Sequence, residues 1–250
     1  MARSRTLPRR QTDNRDMTIR ALTLDLDDTL WPLMPTLLRA EQAMHDWLSE
    51  HAPQTAHRYG IEAMRALRSD IGRRHPGLAH DLSQLRRLSL QEALRTAGDD
   101  PLLAGPAFER FFAERQRVVF YDEVADALDR LASRHRLLAL SNGNADLAAT
   151  GLTRWFAGSV SAQQAGMAKP DPRIFERACA ALACPPHEVM HVGDDHAADI
   201  LGARAAGLHS AWLRREPGRS GRLEVDPAAP SGHHWVIGDL MVLAERLCSA

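Results

Sequence analysis

The stretch LTLDLDDTL, from Leu22 to Leu30, decides how the rest of the chain is read. Apolar residues at Ile19, Ala21, Leu22 and Leu24 suit a buried strand. That strand ends abruptly in three carboxylates and a threonine. Charges at a buried strand tip are costly unless they hold a cation or do chemistry. In open α/β sheets this tip, the carboxyl end, is where ligands sit. Asp25 and Asp27 are two residues apart and share a face while the chain stays extended; Asp28 points the other way. Two neighbouring acids supply a nucleophile and a proton carrier, and they call for a metal. The plainer alternative is an acidic loop after an ordinary strand.

Around that strand the pattern divides the chain. After Trp31, Pro32 and Pro35 break regularity, apolar residues recur at helical spacing: Leu37, Ala40, Met44, Trp47 and Leu48. Further helical stretches carry Ile61, Met64 and Leu67, then run from Leu82 to Ala97 with Gly98 as a stop, then hold Ala107, Phe108, Phe111 and Phe112. No strand is expected between Met34 and Arg117. From Asp122, read as the N-cap of a helix through Leu131, helices and strands alternate. The expected strands are Arg136–Leu140, Ser159–Ala162, Glu188–Val192 and His209–Leu213. The expected helices are Pro172–Leu182, Ile200–Ala206 and Leu240–Leu247, with 214–234 as a loop. Such alternation builds a parallel sheet with helices on both faces.

Composition narrows the class. The 250 residues are 44% hydrophobic and 25% charged, with net charge -1 and pI about 6.9, so nothing points to nucleic acid or an anionic membrane. No apolar run approaches the roughly 18 residues of a membrane span. Cys179, Cys184 and Cys248 lack metal-ligand spacing and fit free thiols in a reducing cytoplasm. Residues 1–16 carry five arginines and two aspartates and read as a disordered basic tail, with Met17 a candidate start.

Chemistry-bearing residues gather after the strands. Asp25 and Asp27 follow the first, Ser141 and Asn142 the second, Lys169 precedes Pro170, and Asp194, Asp195 and Asp199 follow another. Strand tips of a parallel sheet lie side by side, so these distant residues converge. Singly, each has a plain alternative: a turn serine, a surface lysine, an acidic helix cap. Crowded carboxylates repel one another and any anionic ligand, at roughly 4 kcal/mol per pair 4 Å apart and an effective dielectric near 20. A divalent cation with a positive side chain reverses that sign, and oxygen ligands favour Mg²⁺.

The four clusters together resemble the signature of the haloacid dehalogenase-like hydrolase superfamily, most of whose members are phosphatases. DLDDTL from Asp25, LSNGN from Leu140, KPDPRIF from Lys169 and HVGDDHAADI from His191 correspond to its four motifs in order. Within the helical insert, HDLSQLRR (His80–Arg87) and LQEALRTAG (Leu90–Gly98) are similar to bacterial phosphatases of flavin mononucleotide, some of which also act on 5-amino-6-(5-phospho-D-ribitylamino)uracil. The resemblance implies an α/β, Rossmann-like three-layer core over residues 17–32 and 122–250, with an inserted all-helical cap over 33–121. It implies a Mg²⁺-dependent phosphoric monoester hydrolase acting on a small phosphorylated metabolite, a flavin-pathway phosphomonoester first and a sugar or nucleoside phosphate next. Asp25 would be the nucleophile, forming an aspartyl phosphate, and Asp27 the acid and base. Ser141 and Lys169 would hold the phosphoryl oxygens, Asn142 would support their loop, and Arg86 would contact the substrate's far end. Asp25 and Asp194 by carboxylate and Asp27 by its carbonyl would bind the metal, while Asp195 and Asp199 hold its waters or Lys169. An acid at Asp27 favours phosphoryl transfer over dehalogenation, where a halide leaves without a proton. A phosphomutase uses the same core; a regulatory binding protein would not need both acids.

Two further patterns are weighed. His187-Glu188-Val189-Met190-His191 spells H-E-x-x-H, but that zinc motif needs a helix and this segment reads as a strand. His233-His234 reads as an exposed loop pair, and Trp31 and Trp47 as core residues before ring-stacking ones.

Overall fold

The computed structural model describes residues 18–216, 218–225 and 234–249. Seven strands form one sheet: β1 (Ala21–Leu24), β2 (Arg136–Ser141), β3 (Phe156–Ser161), β4 (Val189–Gly193), β5 (His209–Leu213), β6 (Leu223–Val225) and β7 (His234–Ile237). Their order is β3-β2-β1-β4-β5-β7-β6, with every neighbouring pair parallel except the antiparallel β6–β7 edge. The acidic strand is central. Leu24 lies opposite Ala139 of β2 and Val192 of β4, so Asp25, Ser141 and Asp194 leave the sheet at one edge.

The period of two is buried on both faces, as a parallel sheet requires. Leu22, Leu24, Leu137 and Ala139 pack with α6 (Val124–Ala132) and α10 (Leu240–Cys248). Ala21, Leu138, Leu140 and Val189 face the other way, against α8 (Pro172–Leu182) and α9 (Gly202–Ala205). A short α7 (Ala162–Ala165) closes the turn after β3.

Between β1 and α6 stand five helices: α1 (Leu33–His51), α2 (Pro53–Arg58), α3 (Ile61–Arg74), α4 (Leu82–Ala97) and α5 (Ala104–Arg115). They bury a core of their own, with Met44, Leu48, Leu90, Leu94, Phe108 and Phe111 at its centre. Helix α4 starts where Asp81 accepts from the Gln84 amide at 2.8 Å and stops at Gly98, whose φ of 91° ends the turn.

Several sequence expectations change. The N-cap of α6 is Glu123, not Asp122, because the chain first turns as Val124 N–H bonds to Tyr121 O. Residues 214–234 are not all loop. The short β6 lies within that segment and β7 begins at its end, pairing with β5 through the apolar His234-Trp235-Val236-Ile237 run. His234 is therefore buried, its Nδ1 2.9 Å from Ser210 Oγ; His233 falls outside the described residues. The expected helix at Ile200 starts as a wide turn, His196–Leu201, in which the amides of Asp199 and Ile200 both reach Asp195 O. The basic tail and Met17 also lie outside the described residues. No helix among those described is long and apolar enough to cross a membrane.

Candidate active site

Asp25 continues β1 by donating its amide to Val192 O at 2.9 Å, which fixes its carboxylate at the sheet edge. Lys169 Nζ lies 2.6 Å from Asp25 and 2.6 Å from Asp199, and is itself buried. A buried ammonium needs such partners: burial works against its charge, but the two carboxylates outweigh it and raise its pKa. Asn142 clamps the backbone of the lysine from both sides. Its Oδ1 accepts the Lys169 amide at 2.8 Å and its Nδ2 donates to Lys169 O at 3.0 Å. The LSNGN loop thus positions a lysine that lies far along the chain. Ser141 Oγ accepts the Gly143 amide at 2.9 Å and lines the same cavity.

Asp199 is brought inward by the wide turn. Burial opposes its charge, yet Lys169 and a hydrogen bond from His191 hold its pKa well below the usual carboxylate range. Its Oδ2 also accepts the Asp195 amide at 3.0 Å. His191, fully buried on β4, bridges Thr23 Oγ1 at 2.8 Å and Asp199 at 3.1 Å. The H-E-x-x-H run therefore occupies a 3-10 turn and a strand, and its second histidine braces a carboxylate. Asp195 turns outward; its Oδ1 caps the amides of Ala197 and Ala198 at 2.8 and 2.9 Å.

Asp194 accepts from Thr29 Oγ1 at 3.0 Å, and its carbonyl accepts Trp212 Nε1 at 2.9 Å. Burial, then the charge of Asp199, push its pKa up to about 6. Burial likewise drives Asp25 upward, against the pull of Lys169. Carboxylate oxygens of Asp25, Asp194 and Asp199 lie within 4.8 Å of one another. One lysine does not balance three acids, and each uncompensated pair at that distance costs roughly 3 kcal/mol at an effective dielectric of 20. An all-oxygen set with excess negative charge fits a hard divalent cation of the Mg²⁺ type.

Asp27 sits differently. Its Oδ1 accepts Trp31 Nε1 at 2.9 Å, and Arg115 Nη2 reaches both carboxylate oxygens at 2.5 and 2.6 Å. Arg115 ends α5, so the helical insert holds this acid. Trp31 serves Asp27 and the core rather than presenting a face to a ring; Trp47 stacks on His51 at 4.2 Å between centroids. Arg86, on α4 of the insert, lies 3.6 Å over the Phe111 ring and 3.5 Å from Glu41. Sequence reasoning missed Arg115, Thr29 and Gly143. The amide of Gly143 is already legible in its loop motif, but nothing near Arg115 marks it.

A cavity of about 270 Å³ opens over these groups, lined by Asp25, Asp27, Ser141, Lys169, Asp194 and Asp199 among others. A central parallel strand presents a lysine-paired aspartate, with a second aspartate under a helical insert. Residues 19–207 match the model of haloacid dehalogenase-like hydrolases, and the chain belongs to that family. It is 32% identical to the 5-amino-6-(5-phospho-D-ribitylamino)uracil phosphatase YigB of Escherichia coli K12, over 80% of this chain and 85% of that one. Identity is also 32% with a phosphoserine phosphatase of Thermus thermophilus, over 92% of this chain and 100% of the relative. A solved 2-haloacid dehalogenase from Pseudomonas syringae superposes with a TM-score of 0.82 at 34% identity, covering 93% of this chain and 99% of that one.

Proposed function

We propose that this hydrolase is a Mg²⁺-dependent phosphatase of small phosphomonoesters. One observation carries the reading: Asp25 is held at the sheet edge with Lys169 at 2.6 Å, while its oxygens and those of Asp194 lie close enough to share a cation. Asp25 attacks phosphorus in line and forms an aspartyl phosphate as the ester oxygen departs. Asp27 gives that oxygen its proton, then takes one from the water that attacks the phosphorylated Asp25. The hydroxyl of Ser141 and the charge of Lys169 hold the phosphoryl oxygens. The carboxylates of Asp25 and Asp194 and the carbonyl of Asp27 would hold Mg²⁺, which when bound would offset phosphate charge. Asp27 separates this chemistry from dehalogenation, whose leaving halide takes no proton.

The similarity to the E. coli phosphatase supports a flavin-pathway phosphomonoester as substrate. A phosphorylated small acid is the second reading, favoured by an arginine-lined cavity above the site. Turnover of p-nitrophenyl phosphate tests the core of the proposal. It should require Mg²⁺, stop with EDTA and vanish in a folded Asp25→Asn variant. Survival of full activity in that variant removes Asp25 from its role.

A further inference from the structure

The catalytic cavity does not end at Asp27. A second space of about 140 Å³ shares Asp27, Leu33, Leu82 and Gly143 with it and continues under the insert. Three guanidinium groups border this space: Arg68 from α3, Arg86 from α4 and Arg115 from α5. The rest of its lining is mostly apolar, built by Leu37 and Phe111 with the two shared leucines, beside the amide of Asn144.

The countercharges around it do not match the arginines. Glu41 on α1 is buried and sits 2.6 Å from Arg65, but 3.4 Å from Arg68 and 3.5 Å from Arg86. Charge-assisted N–H···O bonds run at about 2.7–2.9 Å, so Glu41 is a firm partner to Arg65 and a loose one to the other two. Arg115 gives Nη2 to Asp27, while its Nη1 is buried and has no hydrogen-bond partner. The residue is 3% exposed, so water does not supply the missing acceptor freely. Crowding shows at Arg86 as well, where burial and then the charge of Arg68 press its pKa down to about 9. Each feature asks for the same thing: negative oxygen atoms inside a cavity that joins the phosphate site.

We propose that this space is an anion subsite, and that it takes a carboxylate carried by the leaving group of a compact phosphomonoester. A guanidinium fork matches the two oxygens of a carboxylate, and the apolar wall strips water from both partners. Because four residues line both cavities, the two anionic groups belong to one short molecule, separated by a few bonds. The inference rests on the phosphatase reading for its phosphate end and adds the chemistry of the other end.

The test compares D-3-phosphoglycerate with sn-glycerol 3-phosphate, which differ at that end by a carboxylate in place of a hydroxymethyl group. The wild-type kcat/KM should favour the carboxylate by about tenfold or more, since a site built for polar groups discriminates strongly against their loss. Arg86→Met should bring the ratio close to one. Arg68→Met should move it the same way and, being partly exposed, guards against a folding failure at Arg86. Calorimetric binding of both compounds to the Asp25→Asn protein reads the subsite without turnover. Absence of all turnover would sink the phosphatase reading alone, while that binding preference would still decide the subsite. Equal binding of the two compounds, or a preference unchanged in both arginine variants, overturns the proposal. So does a flavin mononucleotide preference over phosphoglycerate that both variants weaken, because a ring carbonyl would then be the occupant.

Discussion

Gly143→Ala isolates the contact that places the second aspartate. A β-carbon at Gly143 would fall 2.6 Å from Asp27 Oδ2, 3.2 Å from Ser141 Oγ and 3.7 Å from Arg115 Nη2. Carbon and oxygen settle at about 3.3 Å or more, so something must yield by roughly 0.7 Å. The carboxylate is not free to do so, being held by Arg115 at 2.6 Å and Trp31 at 2.9 Å. Stretching the ion pair from 2.6 Å to about 3.3 Å at an effective dielectric of 20 loses roughly 1.4 kcal/mol. For a chain of this size that is a fall in Tm of about 3–6 °C. Displacing a catalytic group by 1 Å costs on the order of a hundredfold in rate, so kcat should fall about ten- to a hundredfold. Thermal unfolding and p-nitrophenyl phosphate turnover in Mg²⁺ measure the two effects. Gly105→Ala is the control: its β-carbon meets nothing within 4 Å, and in α5 it should stabilise by up to about 1 kcal/mol without touching kcat. A Gly143→Ala protein with unchanged Tm and kcat within about twofold of wild type would refute the claim that this close approach holds Asp27.

Gly193→Ala should be more damaging, because its β-carbon would overlap the Asp199 side chain, which Lys169, His191 and the Asp195 amide all pin. A loss of about 2–3 kcal/mol in urea unfolding is expected, and one below about 0.5 would show that Asp199 moves freely. Asp171 caps α8 and binds Arg173, and that hydrogen bonding lowers its pKa to about 2. A depressed carboxylate stabilises the fold fully above its unfolded value of about 3.9 and loses that contribution as pH falls toward 2. The stability gap between wild type and Asp171→Ala should therefore close between about pH 4 and 2; a gap constant across that window contradicts the assignment. Burial pushes the Cys179 thiol up to about 11, so iodoacetamide at pH 8 should leave it unmodified in the folded protein, as peptide mass mapping will show.

What the sequence disclosed and what it withheld divide along a physical line. Strands β1, β2, β4 and β5 announce themselves as apolar runs because both faces of a parallel sheet are buried. The short β6, with two of its three residues exposed, carries no such signal, and β7 was swallowed by the Pro- and Gly-rich segment before it. Asp25, Ser141 and Asp194 could be placed together because sheet topology alone carries strand tips to one edge, whereas Lys169 and Asp199 reach that edge through a loop and the wide turn. Arg115 was not. It pairs with Asp27 across 88 positions, and whether a helix-end arginine faces solvent or an acid depends on how the insert docks. The same holds for Arg68, whose spacing on α3 is that of an ordinary solvated helix position, while Arg86 was named only through the resemblance of its helix.

That division bears on the chemistry, because the legible and illegible halves of the site carry opposite charge. The sheet edge supplies Asp25, Asp194 and Asp199 against one Lys169, an excess of acid. The insert supplies Arg68, Arg86 and Arg115 around a space that Asp27 and the loosely placed Glu41 do not neutralise. Each half is unfavourable without a guest, since buried charge of one sign raises the energy of every like neighbour. They cancel each other little, for among the described residues Asp27–Arg115 is the one ion pair between the sheet edge and the insert. A cation at the sheet edge and an anion beneath the helices relieve both. On the proposed reading, the ligand brings phosphate toward the acids through a metal and a second negative group toward the arginines.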